Sequence, residues 1–271
     1  MIDPTIAKVL TGAGLLVGHH AGLANQESRD ESFFERTRKE TGILDKDKIE
    51  TDPIFKAHLK TTQDKPTITT DEEGSAYVYK DWDKEEGKII DTDKVQLQKD
   101  PSRYILAHEL GHREARFGEN PIERTAQNKM YQGVSPLIRS PALIALGYAS
   151  PSSRRALAYG LAANYLNFTP MLISENAANR HAQKYMKETG QSVDRSLARE
   201  QLRNYGLGVG IDAIGHIGGG MLIKGLADNP HTKDYVRSFL HLDDIEKGGR
   251  VAKEVGKEAF NYLKHKVKEL W

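Results

Sequence analysis

The stretch Ile105-Leu106-Ala107-His108-Glu109-Leu110-Gly111-His112 decides how this chain is read. It lies in a segment, Ser102 to Phe117, with helix signals at both ends: Asp100 or Ser102 as cap and Gly118 as stop. Ile105, Leu106 and Leu110 give the predicted helix an apolar side. Residues four apart on a helix rise about 6 Å and turn by roughly 40°, so His108 and His112 can offer imidazole nitrogens to one ion. Neutral imidazole suits Zn²⁺, and two ligands on one rigid helix arrive already oriented. Glu109 projects to the side of the first ligand, where it can take a proton from an activated water and pass it to a leaving amine. A His-rich chain also produces H-E-x-x-H by chance, so the rest of the sequence has to supply context.

That context lies downstream. Thr169-Pro170 reads as the start of a helix running to about Thr189-Gly190, and it carries Ser174-Glu175-Asn176-Ala177-Ala178-Asn179-Arg180-His181. A catalytic zinc site uses three protein ligands and keeps one position for water, and Glu175 would complete a His₂Glu set. His181 and Arg180 are residue types that can polarise a substrate carbonyl or stabilise its oxyanion, although a single His on a helix is more often packed or solvated. His216, in a Gly-rich setting, is a further candidate to approach the site. His19 and His20 are adjacent, point different ways on a helix and make a poor metal pair.

These two stretches resemble the gluzincin superfamily of zinc metallopeptidases, in which H-E-x-x-H is followed by a Glu on a later helix, often within E-x-x-A-D or E-x-x-A-N. Glu175-Asn176-Ala177-Ala178-Asn179 matches the second form. The resemblance implies His108, His112 and Glu175 as zinc ligands and Glu109 as catalytic base. It places Asn179 where many members carry an Asp that orients a ligand His, a hydrogen bond that an amide oxygen also accepts. Ile105 to His112 and Ala178-Asn179 are similar to soluble peptidases that cleave repressors or stress regulators. The long interval between the two halves, holding the apolar, Pro-punctuated Leu137 to Ile173, is similar to CAAX-prenyl-protease and heat-shock-type membrane peptidases. Ala76-Tyr77-Val78-Tyr79 and Lys88-Ile89-Ile90-Asp91 sit where such enzymes carry an edge strand that pairs with extended substrate; they can equally be a hairpin closing a small domain.

Composition narrows the alternatives. Across 271 residues, 39 Lys+Arg balance 38 Asp+Glu, which argues against a nucleic-acid binder working through bulk charge. The absence of Cys excludes disulfides, thiolate metal ligands and Cys nucleophiles, leaving His and oxygen donors for any metal. Three Gly- or Ala-rich stretches poor in charge, Thr5–Ala24, Leu137–Ile173 and Gly206–Ala227, have either to pack on one another or to enter a bilayer. Gly14, Gly18 and Gly22 share one helical face. The first stretch also has features of a signal peptide, but Asp3 spoils its basic start. From Arg250 to Trp271, apolar residues recur at helical spacing opposite a Lys-rich face, as in a docked terminal helix or a membrane-surface element.

The expected fold is mainly α: a helical, zincin-like metallopeptidase core with a small β-element and Gly-rich apolar helices. Its organisation is expected as an apolar helix over 1–24, a polar region with the β-element over 25–99, a core over 100–190 with an apolar hairpin insert at 136–173, and a helical region over 191–271. The expected function is a zinc-dependent peptidase acting on a protein or peptide, with membrane association slightly favoured and no nucleic-acid partner. The alternative is a structural or membrane-docking protein, such as a virion component, that retains a peptidase-like zinc core.

Overall fold

The side chain of Ser102 accepts the N–H of Ile105, and the N–H of Gly118 caps the Glu114 carbonyl, so the helix that carries the two histidines runs from Arg103 to Phe117. In the computed structural model, which describes residues 4–62, 64–72, 74–83, 88–130, 136–150, 152–191, 194–240, 257 and 261, this helix is α3. Before it come α1 (Pro4–Thr41), a short 3-10 turn (Lys46–Thr51), α2 (Pro53–Leu59), β1 (Thr67–Glu72), β2 (Ala76–Asp83) and β3 (Lys88–Gln98). After it come α4 (Pro121–Met130), α5 (Pro136–Ala149), α6 (Ser153–Glu188), α7 (Arg195–Asp228) and α8 (Lys233–Leu240). The chain is mainly helical with one small three-stranded sheet. The amphipathic pattern over 250–271 lies outside the described residues.

Local chemistry accounts for the ends of these elements. The polar half of α1 is supported by the pairs Arg36–Glu40 and Glu35–Arg38, four and three residues apart. It stops at Gly42, whose φ of 78° is left-handed and whose N–H caps the Arg38 carbonyl. Asn120 caps α4 by accepting the N–H of Ile122, with Pro121 in the first turn.

In the sheet the order is β1-β3-β2, with β1 parallel and β2 antiparallel to β3. Lys88–Asp91 therefore belongs to the middle strand, and Ala76–Tyr79 to an edge strand. The sequence could not rank the strands, because each short β-like run fits either place.

The chain groups into two compact units. One comprises residues 1–28, 132–169 and 205–271; the other comprises 29–131 and 170–204. The second unit has a core of Phe33, Ile54, Phe55, Leu97, Leu106 and Leu110, all nearly inaccessible. In the first, α1 runs antiparallel to α7 and close to it. Lys8 pairs with Asp228 at 3.1 Å, a side chain on Gly12 would strike the backbone at Leu222, and His19 Nδ1 meets the Ile211 carbonyl at 2.9 Å. A side chain at Gly220 would meet the backbone of Ile144 and Tyr148 on α5. Missing side chains are what let these helices approach.

One proline differs from its sequence reading: Thr169-Pro170 reads as the start of a helix, yet Pro170 lies inside α6; Pro141, in the Pro-punctuated apolar stretch, likewise lies inside a helix, α5. An internal Pro costs about 3 kcal/mol; in α6 that cost is offset by residues buried on both sides of Pro170, among them Ala156, Ala162, Ala177 and Ala178. The division between the two compact units also falls between Thr169 and Pro170.

Candidate metal centre

The site starts from a glycine. A Cβ on Gly111 would collide with the carbonyl oxygen and Cα of Ala178, so α3 and α6 touch backbone to backbone there. That contact sets Glu175, about one turn before Ala178 on α6, and Asn179, the residue after it, against the histidines of α3. His108 Nε2 lies 3.2 Å from Glu175 Oε2, and His112 Nε2 lies 3.4 Å from Glu175 Oε1. One donor atom from each of His108, His112 and Glu175 falls within 4.8 Å of the other two, and all three residues are buried. Two imidazole nitrogens and a carboxylate oxygen are a donor set that fits Zn²⁺.

Each imidazole is aimed by its other nitrogen. His108 Nδ1 donates to Asn179 Oδ1 at 3.0 Å, and Asn179 also accepts the Tyr104 hydroxyl at 2.7 Å. His112 Nδ1 lies 3.1 Å from Gln127 Oε1 and from Ser174 Oγ, and Ser174 donates to Gln127. With Nδ1 committed to these partners, each Nε2 is turned toward Glu175, where it can give a proton to the carboxylate or, with that proton gone, a lone pair to a cation.

Charge in the site is tightly coupled. Burial works against ionisation of Glu175, but the His112 charge and a hydrogen bond from His108 outweigh it and hold the carboxyl well below the usual carboxylate range. Burial likewise opposes a charge on His112, and the adjacent Glu175 carboxylate reverses that, lifting it to about 9. Glu109 is also buried and accepts the main-chain N–H of Tyr77 from β2; burial pushes its carboxyl up despite the two imidazoles nearby. A carboxylate with a raised pKa beside a polarised water is suited to moving a proton.

Of the residues singled out in the sequence, His108, His112, Glu175 and Asn179 come together, with Glu109 on the same helix. Arg180 and His181 are turned elsewhere: both bind Glu123 of α4, at 2.7 and 3.0 Å. His216 Nδ1 bonds the Asp212 carbonyl of its own helix. The polar partners Tyr104, Gln127, Ser174 and Gln201 were not anticipated. Tyr104 stands one turn before His108, and Ser174 precedes Glu175, so helical spacing contained a trace of both. Gln127 and Gln201 carried no signal, since a lone Gln on a helix reads as solvated.

No family model, curated protein or solved structure matches this chain.

Proposed function

We propose that the chain is a zinc-dependent peptidase with a zincin-like core of the gluzincin type. The observation that carries this reading is the convergence of His108, His112 and Glu175 in a buried site with Glu109 on the ligand-bearing helix. A zinc ion held by the three would supply Lewis acidity toward a water and a substrate carbonyl. Glu109 would accept the proton of the attacking water on its carboxylate and deliver it to the amine of the leaving fragment. Asn179 and Gln127 hold the imidazoles in the tautomer that keeps Nε2 free, and Tyr77 of the edge strand holds Glu109 through its main chain. Elemental analysis and hydrolysis of a casein-type substrate test this reading. Purified protein should hold one zinc per chain, and Glu109→Gln should keep the metal and lose hydrolysis. Wild-type rates in Glu109→Gln would remove Glu109 as the base, and a protein that takes up no metal would remove the reading altogether.

We further propose that the Gly-rich unit lies in a lipid bilayer. Val9–Gln26 contains no Asp, Glu, Lys or Arg, and Tyr205–Ile223 contains Asp212 alone. Eighteen helical residues extend about 27 Å, close to the hydrocarbon thickness. The antiparallel contacts place these two charge-poor belts side by side, with Lys8–Asp228 beyond one end. By length and composition α7 qualifies as a span, the one helix among the described residues to do so, and Ile6, Leu10, Val17 and Leu23 of α1 are exposed. Release of intact protein by alkaline carbonate without detergent would return these helices to an aqueous core.

A further inference from the structure

Gln201 is buried; its Nε2 lies 3.0 Å from His108 Nε2 and its Oε1 lies 3.3 Å from the Tyr104 hydroxyl. Which amide atom faces which partner follows from counting protons. Tyr104 has one hydroxyl hydrogen, committed to Asn179 Oδ1 at 2.7 Å. That Asn179 atom is the oxygen, because it also takes the His108 Nδ1–H, while Asn179 Nδ2 faces the Ala198 carbonyl at 3.4 Å. The Tyr104 oxygen can then only accept, so the Gln201 NH₂ belongs there. Exchanging the two amide atoms, which are alike in shape, therefore leaves the Gln201 oxygen facing His108 Nε2.

With the Nε2 proton gone, His108 Nε2 is faced by Glu175 Oε2 at 3.2 Å and by the Gln201 oxygen, three lone-pair atoms that a cation satisfies together. The spacing is of the right order: donors about 2.0–2.1 Å from a tetrahedral zinc stand about 3.3–3.4 Å apart, and here His108 Nε2 is 3.2 Å from Glu175 Oε2 and 3.0 Å from the Gln201 amide, and His112 Nε2 is 3.4 Å from Glu175 Oε1.

We infer that Gln201, steered by Tyr104, supplies its carboxamide oxygen as a fourth protein ligand to the metal proposed above. This rests on the metal-centre reading and goes beyond it, since a three-ligand site keeps its fourth position for water. A neutral amide oxygen is a weaker donor than a carboxylate, so water or a substrate carbonyl can displace it. The centre is closed at rest and opens when Gln201 swings aside.

The test is metal binding by the full chain, read without any assay of activity. Wild type, Gln201→Ala and Gln201→Glu are stripped and titrated with Zn²⁺ against a chromophoric chelator, then loaded with Co²⁺ and titrated with acetohydroxamate. Gln201→Ala should lose about tenfold or more in zinc affinity and give a changed cobalt spectrum, with hydroxamate binding at lower concentration because no ligand has to leave. Gln201→Glu should bind zinc more tightly than wild type, a gain that a misfolded variant cannot show. If all three proteins bind zinc equally and share one cobalt spectrum, Gln201 is not a ligand and the His₂Glu centre stands without it. If wild type binds no metal, the metal-centre reading fails and this inference with it.

Discussion

The α3–α6 contact and the α1–α7 contact both depend on glycine, and they use it for opposite ends. At Gly111 the missing side chain brings two backbones together so that long polar side chains on either side can meet: His108 with Asn179, His112 with Ser174, and both imidazoles with Glu175. Along α7 the glycines bring apolar helices together, and the polar contacts there, such as His19 to the Ile211 carbonyl, Asn164 to the Val209 carbonyl and Tyr165 to the Gly206 carbonyl, tie side chains mostly to backbone rather than gather them at one point. Close approach is thus a means of assembling a site in one unit and of packing helices in the other. The neighbours of the glycine, not the glycine itself, decide which.

Substitutions can break that comparison, and the largest effect is expected in the site. His112→Ala should abolish zinc binding and with it peptide hydrolysis, measured by metal content and substrate turnover, because only His108 and Glu175 remain as strong donors and an amide oxygen from Gln201 is too weak to replace an imidazole.

Next comes Gly111→Ala. Its methyl has nowhere to go but into the Ala178 backbone, so α6 must shift and carry Glu175 with it. Overpacking of this kind costs about 1–3 kcal/mol, and the substitution should lower both the unfolding midpoint and zinc affinity. The matching change in the other unit, Gly220→Leu, should lower the unfolding midpoint through the α5–α7 contact, since the added side chain meets the Ile144 carbonyl. Equal stability of Gly220→Leu and wild type would show that α5 and α7 do not approach as closely as described.

A pH dependence sharpens the comparison further, because the site-bearing unit buries a histidine that stays neutral. His58 is inaccessible, accepts from Arg113 at Nε2 (3.0 Å) and donates from Nδ1 to the Tyr185 hydroxyl (3.0 Å). Burial first, and then the Arg113 charge, depress it to about 4. In the unfolded chain it titrates near 6.5. Its folded pKa being the lower, the unfolded state takes up the proton first. Stability is unaffected by His58 above about pH 6.5 and is lost as pH falls toward 4, by up to roughly 1.4 kcal/mol per pH unit. Unfolding midpoints between pH 7 and 4 should fall less steeply in His58→Gln; parallel profiles would sink the assignment.

The smallest effect is expected at Ser174→Ala. Gln127 still accepts from His112 Nδ1 in that variant, so zinc affinity should fall by no more than about tenfold.

Much of this was legible in the chain, and what was legible was local. Ser102 and Gly118 bound α3, because caps act within a turn of themselves. Pro170 misled for the same reason: a helix-starting signal is local, whereas the burial that carries α6 through it is not. Arg180 and His181 looked like site residues because they follow Glu175 closely in sequence. Five and six positions on, a helix has turned them toward Glu123 of α4 instead.

By itself the sequence determined the pairing of His108 with His112, the position of Glu109 between them and the charge-poor belts, since helical period and composition are properties of neighbours along the chain. Only the tertiary structure decided that β3 is the middle strand, that Gln127 backs His112, and that Gln201, ninety-three residues from His108, reaches the same nitrogen. Side chains so far apart in sequence meet only where packing brings their helices together, and no local spacing encodes which of many similar glutamines will be the one that arrives.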